Sequence, residues 1–198
     1  ASDVYKRQVY RWVPLNGDTA GLCVATDDAR DAWFSPAGFN RGQVRNAVKL
    51  AWNPTKTNRD DLYKIGVNPV INSPGNGIVL FGDKTLLAAP SAFDRINVRR
   101  LLIALRKFIA SASRYLVFEQ NTQATRRRFL NIVNPFLEQV QANSGLSAFR
   151  VVMDETNNTP DTIDRNYLVG QLFLQPTRTA EFIVLDFVVQ PTGASFPE

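Results

Sequence analysis

The stretch from Gly77 to Asn121 constrains the fold more than any other, because it sets a short apolar strand directly ahead of one long amphipathic helix. Ile78-Val79-Leu80-Phe81 is uniformly apolar and is bracketed by Gly77 and Gly82, the pattern of a covered central strand. After a connector containing Pro90, Asn97 is placed to cap a helix. From there Val98, Leu101, Leu102, Leu105, Phe108, Ile109, Ala112 and Leu116 recur at three- and four-residue spacing. Such a stripe is core rather than a binding groove: burying about six large side chains at roughly 1.5–3 kcal/mol each is worth on the order of 10–15 kcal/mol gross. The basic residues Arg99, Arg100, Arg106, Lys107 and Arg114 fall on the other faces.

The rest of the chain supplies partners for that helix. Phe129, Ile132, Val133, Phe136, Leu137 and Val140 define a second helix over Thr122–Asn143, joined to the first by Phe118–Asn121. The short connection makes the two an antiparallel hairpin. Pro135 predicts a kink or break near Val133, and Asn143-Ser144-Gly145 a C-terminus. Upstream, Asp18 caps a helix reaching about Ala32, and Trp33–Gly42 is a loop with aromatic anchors. Gln43–Trp52 alternates as one strand or as two short pieces around Arg45-Asn46, Arg59–Ile65 is a short helix capped by Thr57 or Asn58, and Asn68–Asn72 is a short strand. Downstream, Ala148–Met153 is a strand, Asp161 caps a turn, and Tyr167–Gln175 and Thr179–Gln190 form a hairpin around Pro176-Thr177-Arg178. The expected class is α+β (mixed α/β): a mixed sheet flanked by a long helical hairpin, with C-terminal antiparallel strands.

The chain has no histidine, which removes the commonest general base and metal ligand and every Ser-His or Cys-His arrangement. Its single cysteine, Cys23, cannot form an internal disulfide and reads as a buried, inert thiol. No apolar run approaches the ~20 residues needed to span a membrane, so no membrane insertion is expected. Asp27, Asp28 and Asp31 point around a helix end rather than converging. Asp154, Glu155, Asp161 and Asp164 are the densest carboxylates, yet a calcium-type loop would want a glycine at its bend, and none is there. No metal, cofactor or catalytic residue is therefore assigned. Arg126-Arg127-Arg128 is the sharpest charge run. Three residues without an aromatic platform are too few for a nucleic-acid footprint, so the run reads as a solvated face or a protein contact.

The final apolar run raises a different question. Phe182, Val184, Leu185, Phe187 and Val189 sit in a strand at the end of the chain that needs cover on both faces or pairing along its edge. A terminal strand is the element most readily lent to a neighbour.

Several short motifs, in order, resemble one family. Trp33–Gly42 (WFSPAGFNRG), Gly77–Leu86 (GIVLFGDKTL), Ile96–Leu102 (INVRRLL) and Val117–Thr122 (VFEQNT) are similar to segments of the contractile tail sheath proteins of bacteriophages, those of large myoviruses in particular. The resemblance runs from about Tyr10 to Gln190 and implies a structural subunit, not an enzyme. It would polymerise helically around an inner tail tube, contract to drive the tube through the host envelope, and need no cofactor. Its partners would be other copies of itself, the tube, and the baseplate and tail terminator proteins, with no nucleic acid. Its place would be the virion, after assembly in the host cytoplasm. Terminal extensions of such proteins weave neighbours into shared sheets, and the basic residues Arg99, Arg100, Arg106, Lys107, Arg126, Arg127 and Arg128 become candidates for charged contacts. The resemblance divides the chain into the end of a central, subtilisin-like domain over residues 9–72 and a C-terminal domain over 73–198. Asp3–Gln8 matches the peptide that one frame of a sequencing-library adapter would encode, and residues 1–8 are expected to be a foreign leader and are set aside. The same architecture would serve a secretion-system or bacteriocin sheath; a carboxylate-dependent hydrolase using the Asp154–Asp164 region is the reading from another class.

Overall fold

The computed structural model describes residues 10–181 and 183–185. The leader expectation, and Phe182, Phe187 and Val189 of the final run, lie outside the described residues. Within them the chain is α+β, and its strands are divided between two separate two-stranded antiparallel sheets rather than joined in one mixed sheet.

Helix α1 (Asn16–Ala29) starts without a side-chain cap; Asp18 sits in its first turn, where a carboxylate favours the exposed N–H groups. Helix α2 (Lys56–Lys64) is capped by Thr55 rather than Thr57, with Asn58 reaching back to complete a capping box. Gly66 follows it at φ +81°, as a helix-ending glycine should. Strands β1 (Val70–Ser73) and β2 (Gly77–Leu80) then pair in the register Val70↔Leu80 to Ser73↔Gly77. Gly75 and Gly77, both in the left-handed region, close the turn between them.

β2 is covered as expected, but a loop does half the covering. Ile78, Val79 and Leu80 are almost fully buried. On the edge away from β1, Val44 N donates to Ile78 O (2.8 Å), Leu80 N to Gly42 O (2.8 Å) and Gly38 N to Leu80 O (2.9 Å). Only glycine fits at position 42: a Cβ there would lie 2.7 Å from Leu80 O and 2.8 Å from Gly38 O. The strand expected over Gln43–Trp52 is accordingly reduced to a single bridge, Gln43↔Val79. Its alternation buries no second face, since Val48 and Trp52 remain exposed.

Helices α3 (Ile96–Arg114) and α4 (Gln123–Ala142) form the expected hairpin. Its core joins Leu101 and Leu105 to Phe129, Val133, Leu137 and Val140, with Phe108 stacked on Phe136 at 3.7 Å between ring centroids. Asn97 is not the cap: α3 begins one residue earlier, and Asn97 is buried in its first turn. α4 runs through Pro135 unbroken. Val133 and Leu137, buried on either side of Pro135, hold the turn that the missing N–H would otherwise weaken.

Strand β3 (Leu146–Val152) leaves α4 and packs on it. Helix α5 (Pro160–Asp164), capped by Thr159 with Pro160 in its first turn, precedes strand β4 (Gln171–Pro176). β4 pairs antiparallel with β3, from Val152↔Gln171 to Leu146↔Pro176. This corrects the expected hairpin between Tyr167–Gln175 and Thr179–Gln190. β3 already occupies β4, and residues 179–181 and 183–185 carry no strand. The two halves meet at Trp33, whose indole N–H donates to Asn143 O (2.9 Å) beside Gly145.

Candidate functional site

The described chain holds no converging set of catalytic groups, and its functional features are surfaces and their anchors. Most developed is the seat of the C-terminal segment. Beyond β4, Thr177 N donates to Gly145 O (3.2 Å) and Thr177 O accepts from Asn97 Nδ2 (3.5 Å), which turns the chain across the start of α3. Glu181 then meets Arg95 and Tyr63: Arg95 donates through Nε and through Nη2 (3.0 Å), and the Tyr63 hydroxyl donates to the same carboxylate. Burial alone would raise the Glu181 carboxyl, but the Arg95 guanidinium and the Tyr63 hydroxyl outweigh it and hold it below its ordinary value. Tyr63 is pushed well up by burial and by this carboxylate.

Asp83 lies in the same cleft, a cavity of about 570 Å³ that also touches Ser35, Phe81 and Thr179. Asp83 is 5% exposed, and among the described residues neither carboxylate oxygen has a hydrogen-bond partner of good geometry. Burial pushes its pKa up to about 6, while the nearby Ser35 hydroxyl and Asn97 N–H offset part of the rise.

The expected basic face is divided. Arg99, Arg106, Lys107, Arg127 and Arg128 are exposed. Arg100 and Arg126 are drawn inward: Arg100 pairs with Asp27 and donates to Cys23 O (2.8 Å), and Arg126 is 7% exposed with Nε directed at Thr122 O. Their helical positions explain this, because Arg126 shares the inward face with Phe129, Val133, Leu137 and Val140.

The carboxylate candidates are occupied locally or separated. The Thr156 hydroxyl and N–H hold Asp154 below its ordinary value, and Asp161 pairs with Arg165 at 3.2 Å. Cys23 is half-buried, with its thiol pushed up by burial. Of the final apolar run, Ile183, Val184 and Leu185 are 81%, 81% and 70% exposed. A second bare apolar group, Tyr115, Val117 and Phe118, sits at the tip of the helical hairpin. Each sheet has two strands among the described residues, so β3 and β4 each keep an edge without a strand partner.

Sequence reasoning missed the seat of Glu181 and the buried Asp83. The one signal available was a carboxylate, Glu181, opening a mostly apolar run. Nothing in the sequence pointed to Arg95 or Tyr63 as its partners.

Comparison with known proteins is consistent throughout. The phage tail sheath protein central domain matches residues 2–86, and the phage tail sheath C-terminal domain matches residues 88–190. The tail sheath protein of Vibrio phage KVP40 is 48% identical over 188 residues, covering 95% of this chain and 28% of that protein. That of Enterobacteria phage T4 is 48% identical over 190 residues, covering 96% of this chain and 29% of that protein. The chain thus spans less than a third of the length of these relatives. Among solved structures, the contracted helical sheath of the anti-feeding prophage superposes with a TM-score of 0.81 at 25% identity, over 88% of this chain and 50% of that one. The baseplate of the same particle gives 0.81 at 26% identity, over 89% and 50%.

Proposed function

Because the chain belongs to the phage tail sheath family, we propose that the protein carrying it is a structural subunit of a contractile tail sheath. It polymerises helically around an inner tube and drives that tube through the host envelope. The match of both sheath domains, in order along the chain, carries this reading. In it the chain holds the end of the central domain over residues 9–72 and the C-terminal domain over 73–198. Its partners are other copies of itself, the tube, and the baseplate and terminator proteins; its place is the virion, reached after assembly in the host cytoplasm. Contraction draws on interfaces between subunits rather than on a reaction within the chain.

Two surfaces support contacts between copies. Ile183–Leu185 place three bare apolar side chains just beyond Glu181, whose side chain is held by Arg95 and Tyr63, as a segment lent to a neighbouring sheet would. In this reading the unpaired edges of β3 and β4 are where such a strand is received. The exposed cations Arg99, Arg106, Lys107, Arg127 and Arg128 form the charged contact face with the tube or an adjacent subunit. Likeness to the anti-feeding prophage sheath favours a second reading, a subunit of a related contractile injection system, which gene neighbours would distinguish. Sedimentation of the whole gene product tests the contacts. Replacing Ile183 and Leu185 together by Asp is expected to abolish polymer without lowering the unfolding midpoint of the unassembled protein. Polymer at the wild-type concentration would overturn the lent segment.

A further inference from the structure

The last side-chain contact of the described chain is also its longest in sequence. Glu181 reaches back to Tyr63, in the last turn of α2, and to Arg95, the extended residue immediately before α3. Surface ion pairs usually join exposed side chains and contribute little. This one is different: the Arg95 and Glu181 side chains are only 23% and 19% exposed. Both partners are braced before Glu181 arrives. Arg95 pairs through its backbone with Lys84 and through Nη1 with Asp94 at 3.1 Å. Lys84 holds its ammonium 3.6 Å from the Tyr63 ring centroid and donates to Tyr63 O. Asn68 fixes Lys84 in turn, accepting from its N–H and donating to its C=O, both at 2.8 Å. The socket is therefore rigid, and immediately beyond it Ile183–Leu185 touch little of their own subunit.

We propose that Glu181, seated between Arg95 and Tyr63, is a positioning residue for assembly: it fixes where and in which direction the C-terminal segment leaves its own subunit to meet a second copy of this chain. The inference rests on the reading of that segment as one lent to a neighbour. Its physical basis is preorganisation. A segment anchored at Glu181 explores a small volume, whereas one released back to Thr177 gains roughly four free residues, and pairing with a neighbour must then order them.

The test uses the whole gene product and two measurements per variant: the critical concentration for polymer, by sedimentation, and the unfolding midpoint of the unassembled protein. Glu181→Gln is expected to raise the critical concentration about tenfold or more, the size of a lost charge-assisted hydrogen bond. Its unfolding midpoint should move no further than that of Asp27→Asn, which breaks the Arg100 pair away from the segment. Tyr63→Phe, the milder change, is expected to act in the same direction and less, and the reversed pair Arg95→Glu with Glu181→Arg to recover polymer. Polymer from Glu181→Gln at the wild-type concentration overturns the proposal. So does an equal loss of polymer and stability in Asp27→Asn, which would make the contact merely structural. A wild-type protein that polymerises neither alone nor with its inner tube protein overturns the sheath reading itself, and shows this before any variant is compared.

Discussion

Asp83 and Glu181 share one cleft and respond to pH in opposite senses. The folded pKa of Asp83, about 6, lies above its ordinary value of 3.8. Between these two values the folded chain keeps a proton that the unfolded chain has lost, so stability falls as the pH rises through that window. The loss is about 2–3 kcal/mol by pH 7. Glu181 is held below its ordinary value, so its contribution is present at neutral pH and fades as the pH falls below about 4. From these two groups stability should therefore be highest at about pH 4, where the Asp83 loss is only beginning and the Glu181 contribution is still present, and should fall toward pH 6. Asp83→Asn should flatten the neutral side of that profile and leave the acid side in place; denaturant unfolding at about pH 2, pH 4 and pH 8 checks both. Gly42 makes a second residue-scale case. Gly42→Ala should destabilise the chain, on the order of 2 kcal/mol or more, because the new methyl meets backbone oxygen rather than a movable side chain. A variant with wild-type stability would mean that the loop against β2 gives way.

Among the elements, the helical hairpin was legible and the strand pairing was not, for a definite reason. The stripes of α3 and α4 repeat locally, so Leu101, Leu105, Val133 and Leu137 announce themselves without knowledge of their partners. A strand's alternation says which face is buried but not which strand lies alongside. β4 thus could not be read as the partner of β3 across the intervening α5, and the chemistry of Pro176-Thr177-Arg178 suggested a hairpin instead. The cap of α2 was displaced by two residues because Thr55, Thr57 and Asn58 all offer capping side chains. The charge run at the start of α4 separates in the same way once it is placed on a helix. Arg127 and Arg128 face solvent, while Arg126 lies on the buried side. Reversing Arg127 and Arg128 to Glu is expected to weaken polymer or change its salt dependence while the helix still forms. Arg126→Glu is expected to unfold the hairpin, by about 3–5 kcal/mol, since it puts an unpaired carboxylate in the core. Circular dichroism separates the two outcomes, and polymer indifferent to Arg127 and Arg128 would remove them from the contact face.

For the molecule as a whole, the α+β class and the sheath family were both legible, the first from periodicity and the second from motifs such as WFSPAGFNRG at Trp33–Gly42. Part of the physical role of that motif is visible in the fold. Trp33 ties the first half to the end of α4, and Gly38 and Gly42 close the free edge of β2. What the sequence left out is the long-range seat at Tyr63, Arg95 and Glu181, because three side chains so far apart in sequence carry no periodic signal. That seat divides the chain at Glu181 into a body that satisfies its own core and a segment that presents bare apolar residues. The account stands or falls on whether such bodies join into a tube. The deciding measurement is electron microscopy of the whole gene product, concentrated alone and then together with its inner tube protein. The account predicts hollow tubes with a regular helical repeat, into which this fold docks with Ile183–Leu185 against a neighbouring subunit. Monodisperse particles under both conditions would contradict it.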